Sequence, residues 1–562
     1  MKKLLSEQLV DYLERRDTKY VFGLCGHTVI AMLDALEKSK KLKYISVRHE
    51  QIASTAADGY ARATRRASVV LCHLGPGLTN ATTGVANAAL DSIPMVAITC
   101  NVATSLLGKD SFQEIDILGV TMPITKYNFI VKDGNQLADV IRRAFRIAAS
   151  GRPGPVLVDI TKDVTAGEFD YEYKEPEKIV RTEKKVDGET LEKAIDMMHQ
   201  SRQPFIIAGG GLIAADASEE ICTFAQKLQA PVAETLMGMG AFDGANPLAT
   251  GMVGMHGTKT SNFGITEADL VIAIGVRFSD RVIGNSKKFA RNAKIIHIDI
   301  DAAEINKNVK VDLSIVGDAK EVLRRINARL DPMNHDEWIA HIERMKEMYP
   351  LSYDRSRLTG PYIVEMIDRL TSDDDIIVTE VGQHQMWAAQ YYKYRKPRRL
   401  LTSGGAGTMG YGLGAAIGAK MACKDKVVIN IAGDGCFRMN MNEIATATRY
   451  HIPVVQVIIN NHVLGMVRQW QDLFYGKRFS NTVLNDAVDF VKLAEAMGAK
   501  AYRVVKKEDF EPVLREAIAI NEPVVIDCQV DCDDKVYPMV SPGAAIKDTF
   551  DASDLALEKN KK

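Results

Sequence analysis

The chain has 562 residues, 46% of them hydrophobic and 25% charged, with a formal net charge of −1. That is too long for one core and predicts three or four domains, while the balanced charge gives no reason to expect nucleic acid or an anionic membrane as a partner. Eight cysteines, at 25, 72, 100, 222, 423, 436, 528 and 532, form no CxxC pair; they support neither a zinc site nor a redox motif and suit a reducing cytoplasm.

In chain order, MKKLLSEQLVDYLERR reads as an amphipathic helix that lacks the long apolar stretch of a signal peptide, and no later run is long enough to span a bilayer. Short apolar runs at 43–47, 68–72, 95–99 and 156–160 alternate with helical patterns, which predicts a parallel sheet with crossover helices over 1–166. The charged stretch 167–186 reads as a surface linker. A second segment, 188–335, has strand candidates at 204–208, 270–274 and 294–300, and a third, 360–545, at 375–379, 427–431 and 453–459. The expected fold is α/β, with three doubly wound parallel-sheet domains and a loose polar tail at 546–562. Lys559, Lys561 and Lys562 read as a solvated end rather than a binding arm. The first and third segments look similarly built, without a visible sequence repeat.

The chemistry concentrates in the third segment. One apolar strand runs into Gly433-Asp434-Gly435 and the next into Asn460-Asn461. In a parallel sheet both motifs fall at the carboxyl ends of their strands, where ligands bind. The glycines let backbone approach a phosphate, and Asp434 and Asn461 offer the hard oxygens that magnesium prefers. GDG alone is as easily a tight strand–helix turn. Paired with NN after a second buried strand, it resembles the diphosphate–magnesium motif of thiamine diphosphate (ThDP)-dependent enzymes. That resemblance implies the Val463 carbonyl as a third metal ligand.

Such enzymes need a carboxylate against the cofactor's aminopyrimidine. Glu50 follows the strand at 43–47, and the block Ala56-Ala57-Asp58-Gly59-Tyr60-Ala61-Arg62 behind it matches the family. Alone, Glu50 would read as an acid favoured in a first helical turn. Gly404-Gly405-Ala406-Gly407-Thr408-Met409-Gly410 resembles the loop that receives the aminopyrimidine, with the Gly407 carbonyl accepting its amino group and Met409 wedging the cofactor. In the family the two halves of the site come from different domains of different chains. At least a homodimer is therefore implied, with a homotetramer expected.

The middle segment narrows the family. Gly251 to Thr258, with Gly254, His256 and Thr258, then Gly275 to Val282 with Arg277, and Asp299 in His297-Ile298-Asp299 look like the FAD domain of acetolactate synthases. Arg152, in Gly151-Arg152-Pro153-Gly154-Pro155, joins them as a cofactor-binding candidate. Ser279 departs from the family's Asp. The segment 464–475, with Met466 and Trp470, looks like the one that closes over substrate, and Phe112-Gln113-Glu114 also matches. The resemblance thus implies Gln113 as catalytic and Phe112, Lys162 and Trp470 as substrate contacts. Gly433, Gly435, Asn460 and Met466 join the cofactor site, and a regulatory subunit is possible.

The pattern breaks at two places. Synthases carry Pro-Gly-Gly after the first strand and a small hydroxyl residue before Gly-Pro-Gly; here Cys25-Gly26-His27-Thr28 and His73 stand there. With Glu50 after the second strand, both histidines are expected at one crevice and are candidates for proton transfer. The leading expectation is synthase chemistry, two pyruvates giving 2-acetolactate and carbon dioxide. The alternative is a related lyase, decarboxylase or hydrolase acting on an aldehyde or dione, because cyclohexane-1,2-dione hydrolase has a similar Gly-His-Thr turn and benzoylformate decarboxylase a similarly placed His.

Overall fold

The computed structural model describes residues 2–171, 175–181 and 186–560. Three six-stranded sheets, each wholly parallel, dominate it. Across the first sheet lie Lys43–Ser46, Tyr20–Gly23, Ser68–His73, Met95–Asn101, Pro155–Thr161 and Tyr127–Val131. Across the third lie Leu400–Leu401, Ile376–Thr379, Val428–Gly433, Val455–Asn460, Val524–Gln529 and Lys500–Val504. Ranked by chain order within each domain, both read 2-1-3-4-6-5. Two segments without a visible repeat therefore share one topology, whose order reverses between the first and third strands.

The middle sheet differs. Ala249–Met252, Val232–Glu234, Pro204–Ala208, Leu270–Ile274, Lys294–Asp299 and Leu313–Val316 lie side by side in the order 3-2-1-4-5-6, the dinucleotide-binding arrangement. Central strands such as Met95–Asn101 and Pro155–Thr161 are buried at every position and read as continuous apolar runs. Edge strands such as Tyr127–Val131 and Lys500–Val504 are only partly buried, and their mixed composition hid them from the sequence reading.

The N-terminal helix, Leu5–Arg15, buries Leu5, Leu9 and Leu13 at i, i+4 spacing. Residues 2–4 are extended rather than helical, because their backbone pairs antiparallel with Glu168–Asp170 inside the expected linker. Residues 172–174 and 182–185 of that linker lie outside the described residues. The C-terminal stretch expected to be loose is anchored instead. Phe550 pairs with Met539, Ile546 is buried, and helix Ala552–Asn560 is tied down where Lys259 Nζ meets Asp551 and Asp554 at 2.6 Å each. Lys561 and Lys562 lie outside the described residues.

First and third domains meet through helices Glu50–Thr64 and Gly412–Ala422, which touch backbone to backbone. A Cβ on Gly418 would sit 1.9 Å from the Ala56 carbonyl oxygen, and one on Gly59 2.2 Å from that of Ala415. Beside this seam the Arg62 guanidinium binds Asp58 and Asp91 and donates to the Thr402 carbonyl, and the Tyr411 hydroxyl donates to Asp58. This buried ion group is fully partnered, as such groups must be to persist.

Candidate active site

Glu50 opens helix Glu50–Thr64 directly after the strand Lys43–Ser46 and is buried. Asn80 Nδ2 donates to its Oε2 at 2.9 Å. Gly77 leaves the space before it: a Cβ there would lie 3.2 Å from both Glu50 Oε1 and His73 Cβ. The first-domain candidates therefore gather at one edge of the sheet. His27 and His73 meet edge to face with ring centroids 4.7 Å apart, and His27 lies 6.3 Å from the Phe112 ring. His73 Nε2 is 2.8 Å from Gln113 Oε1. Burial, with His73 and Lys162 alongside, holds the His27 imidazole below the usual histidine range. Phe112 is 78% exposed, so this edge is open in the single chain.

The third-domain candidates gather at the matching edge of their sheet. Register pairs Gly433 with Ile459, which sets Asp434 beside Asn460 and Asn461. Asp434 is buried, and among the described residues its Oδ2 has no hydrogen-bond partner; burial pushes its carboxyl up to about 6. Asn460 is spent on structure, since its Nδ2 donates to Asp527 at 2.8 Å. Asn461 Oδ1 accepts the Val463 N–H at 3.3 Å, which folds the Val463 backbone in next to Asp434's strand end. Gly435 admits Leu464 and lies near Met409, whose Cε is 3.8 Å from where a Cβ would be. Gly407 takes φ +64° in an exposed loop.

A cavity of about 1230 Å³ runs between the three domains. One end is walled by the loop 404–407 with Met466 and Trp470, the other by the switch point of the middle sheet. Of the expected flavin residues, Arg152, His256, Arg277 and Asp299 line it. Gly254 and Thr258 stand behind its wall: Gly254 packs against the Arg281 carbonyl, and the Thr258 side chain caps helix Lys259–Glu267. Glu50, His27 and His73 are not part of its lining.

Sequence models of the thiamine pyrophosphate enzymes match this chain three times: the N-terminal TPP binding domain at 4–120, the central domain at 191–326 and the C-terminal TPP binding domain at 380–528. The chain is 46% identical to the probable acetolactate synthase large subunit of Methanocaldococcus jannaschii, covering 96% of this chain and 94% of that protein. It is 42% identical to the acetolactate synthase large subunit of Haemophilus influenzae, with 98% of each covered. With that of Corynebacterium glutamicum it shares 44%, covering 97% of this chain and 89% of the other. The chain belongs to the thiamine pyrophosphate enzymes, in the acetolactate synthase family.

For a member of that family the residues at hand fit the cofactor. A buried carboxylate oxygen on Asp434, without a partner among the described residues, fits a hard cation in its chemistry. Sequence reasoning missed two neighbours. His384 is buried, held neutral by a shift down to about 3, and among the described residues its Nε2 has no hydrogen-bond partner; its Nδ1 is 3.0 Å from where a Gly433 Cβ would be. Gln383 ties the edge together, accepting from Asn461 at 3.2 Å and donating to Gln469 and to the Asp534 carbonyl. Their signal was positional, since they follow Gly382 right after the strand Ile376–Thr379. In the middle domain Gly209-Gly210-Gly211 was also missed. It follows the first strand, and a Cβ on Gly211 would sit 2.5 Å from Gly275 Cα across the switch point. This backbone cradle, with His256 Nδ1 and Glu304 Oε2 buried nearby and without a partner among the described residues, fits a dinucleotide such as FAD.

Proposed function

We propose that the chain catalyses the ThDP-dependent, decarboxylating condensation of 2-ketoacids, with two pyruvates giving 2-acetolactate and carbon dioxide. One observation carries this reading: a buried glutamate and a buried Asp–Asn pair occupy the carboxyl edges of two sheets of identical topology. The relatives, named acetolactate synthases, favour it over the lyase or hydrolase alternative.

When bound, ThDP supplies the electron sink that lets a 2-ketoacid lose carbon dioxide and its remainder add to a second carbonyl. The chain's residues do the rest. Glu50, buried and held by the Asn80 amide, would exchange a proton with the aminopyrimidine. Asp434, Asn461 and the Val463 carbonyl would hold Mg²⁺. Gly407, Met409, Gly433, Gly435 and Met466 would contribute to the cofactor's seat. Gln113, Phe112, Lys162 and Trp470 bound the substrate. Arg152, Arg277, His256 and Asp299 would hold FAD as a structural group, with the glycine turn at 209–211 leaving room for it. A second copy of the chain would close the site, since Glu50 does not line the cavity that the loop 404–407 walls. Partnership with a regulatory subunit and a cytoplasmic setting complete the reading.

The test is mass-spectrometric product analysis with pyruvate, ThDP and Mg²⁺, beside Glu50→Gln. Acetolactate from the native protein, and a loss of about 10²–10⁴-fold in the variant with ThDP binding retained, is expected. An aldehyde or a dione-cleavage product as the main outcome would overturn the assignment.

A further inference from the structure

Two imidazoles stand at the first sheet's edge where the family pattern has a small turn and a hydroxyl, and hydrogen bonding defines the role of one. His73 ends the strand Ser68–His73 and is buried. Its Nδ1 lies 2.8 Å from Thr28 Oγ1 and its Nε2 2.8 Å from Gln113 Oε1. A side-chain amide oxygen can only accept, so Nε2 carries the hydrogen, and in the neutral ring Nδ1 accepts from the Thr28 hydroxyl. Both nitrogens are thereby engaged, which leaves His73 no free site for passing a proton to substrate.

The backbone around it is built to hold this arrangement. A Cβ on Gly26 would lie 2.4 Å from His73 Cγ, so only glycine leaves room for the ring. Gly75, at φ +52°, lets the Gln113 carbonyl approach to 2.0 Å from where a Cβ would sit. Gln113 itself takes φ +64°, an uncommon conformation for a residue with a side chain, of the kind that concentrates at functional sites. Glu114 then pins the loop by accepting the N–H groups of Gly108, Lys109 and Ser111.

We infer that His73 is a positioning residue: it occupies the Gln113 amide oxygen and so commits the amide N–H₂ to donate toward the crevice that Glu50 faces. The substrate this selects carries an oxygen acceptor at that place, a carboxylate or carbonyl oxygen of the ketoacid. Lys162 and the edge-on His27 border the same opening. The inference rests on reading this edge as the substrate side of the active site.

Steady-state kinetics on the ThDP- and Mg²⁺-loaded enzyme with pyruvate test it. His73→Phe fills the ring's space without a donor and should lower kcat/KM by about 10–100-fold, the usual result of a misplaced contact. His73→Gln cannot act as acid or base, but its amide N–H₂ reaches about as far as Nε2, so it should recover most of that loss. The double variant His73→Phe, Gln113→Ala should be no worse than Gln113→Ala alone, because a residue acting through another adds nothing once that other is gone. Thr28→Val, which removes the hydroxyl that orients the ring, should reproduce a smaller loss and covers the case in which His73→Phe does not fold. His73→Gln as poor as His73→Phe would make the imidazole an acid or base, and effects that multiply in the double variant would make it independent of Gln113; either overturns the inference. Glu50→Gln separates the two layers: full turnover in that variant would fell the reading of the site, whereas a dead Glu50→Gln with failed His73 tests fells the positioning role alone.

Discussion

At the residue scale, burial without charge partners sets the chemistry of several side chains, and one of them is a strand-end glutamate of the middle domain. Glu234 ends a core strand of the middle domain, where its carboxylate oxygen accepts the Phe242 N–H at 3.0 Å. Burial pushes its carboxyl up to about 8. The native protein thus keeps a proton that the unfolded chain surrenders near the ordinary carboxylate value. The unfolded state binds fewer protons across that window, so this group's contribution to stability is full in acid and is lost as pH rises toward 8. Glu234→Gln, neutral throughout, should remove that decline. Thermal melts at about pH 5, 6.5 and 8 should show the native protein losing ground to the variant as pH rises, and parallel curves would contradict the assignment. Neither the burial nor the shift was legible in the sequence, where Glu234 is one acid among many.

At the element scale, the seam between helices Glu50–Thr64 and Gly412–Ala422 fixes the helix that Glu50 opens. Small residues were visible in both segments, but which faced which was not. Gly418→Val puts a branched side chain where 1.9 Å separates the first carbon from the Ala56 carbonyl oxygen. Overpacking of that kind costs about 1–3 kcal/mol or more. The variant should melt lower and lose ThDP-dependent activity together, because the seam and Glu50 share one helix. A drop in melting temperature with full activity retained would show that the helix contact does not position the glutamate. The strands carrying Asp434 and Asn461 were by contrast readable in advance, since central parallel strands are apolar throughout and end at ligand-binding turns.

At the scale of the whole molecule, two half-sites lie on open edges. Ile30, Phe112 and Met122 are exposed on the first domain, and Met439, Val467, Tyr475 and Val483 on the third. If two copies complete each other's sites, co-expressing Glu50→Gln with Asp434→Ala should restore activity. Half of the dimers are then mixed and each has one intact site of two, giving about a quarter of the native rate. No recovery from two soluble, mixed variants would place both halves in one chain. FAD offers a second check. Binding only the native state, it should raise the melting temperature, with about 2.7 kcal/mol gained at 100 times Kd, and Arg152→Ala should weaken that gain. No shift at saturating FAD would leave the cavity to another ligand.

The sequence alone determined the α/β class, the three-part organisation and the ThDP-type motifs, because buried parallel strands and glycine turns are local signals that composition cannot disguise. It also exposed His27 and His73 as departures from the pattern. Only the tertiary structure decided that the first and third sheets share one strand order, that Gln383 holds Asn461 and His384 packs at Gly433, and that the last helix docks on Lys259. These depend on which edges and faces meet, and contacts between residues hundreds of positions apart leave no periodicity in the chain. His73 shows the division most clearly. Its presence was written in the sequence, but its partners Thr28 and Gln113, 45 and 40 positions away, appear only when the sheet brings three loops to one edge.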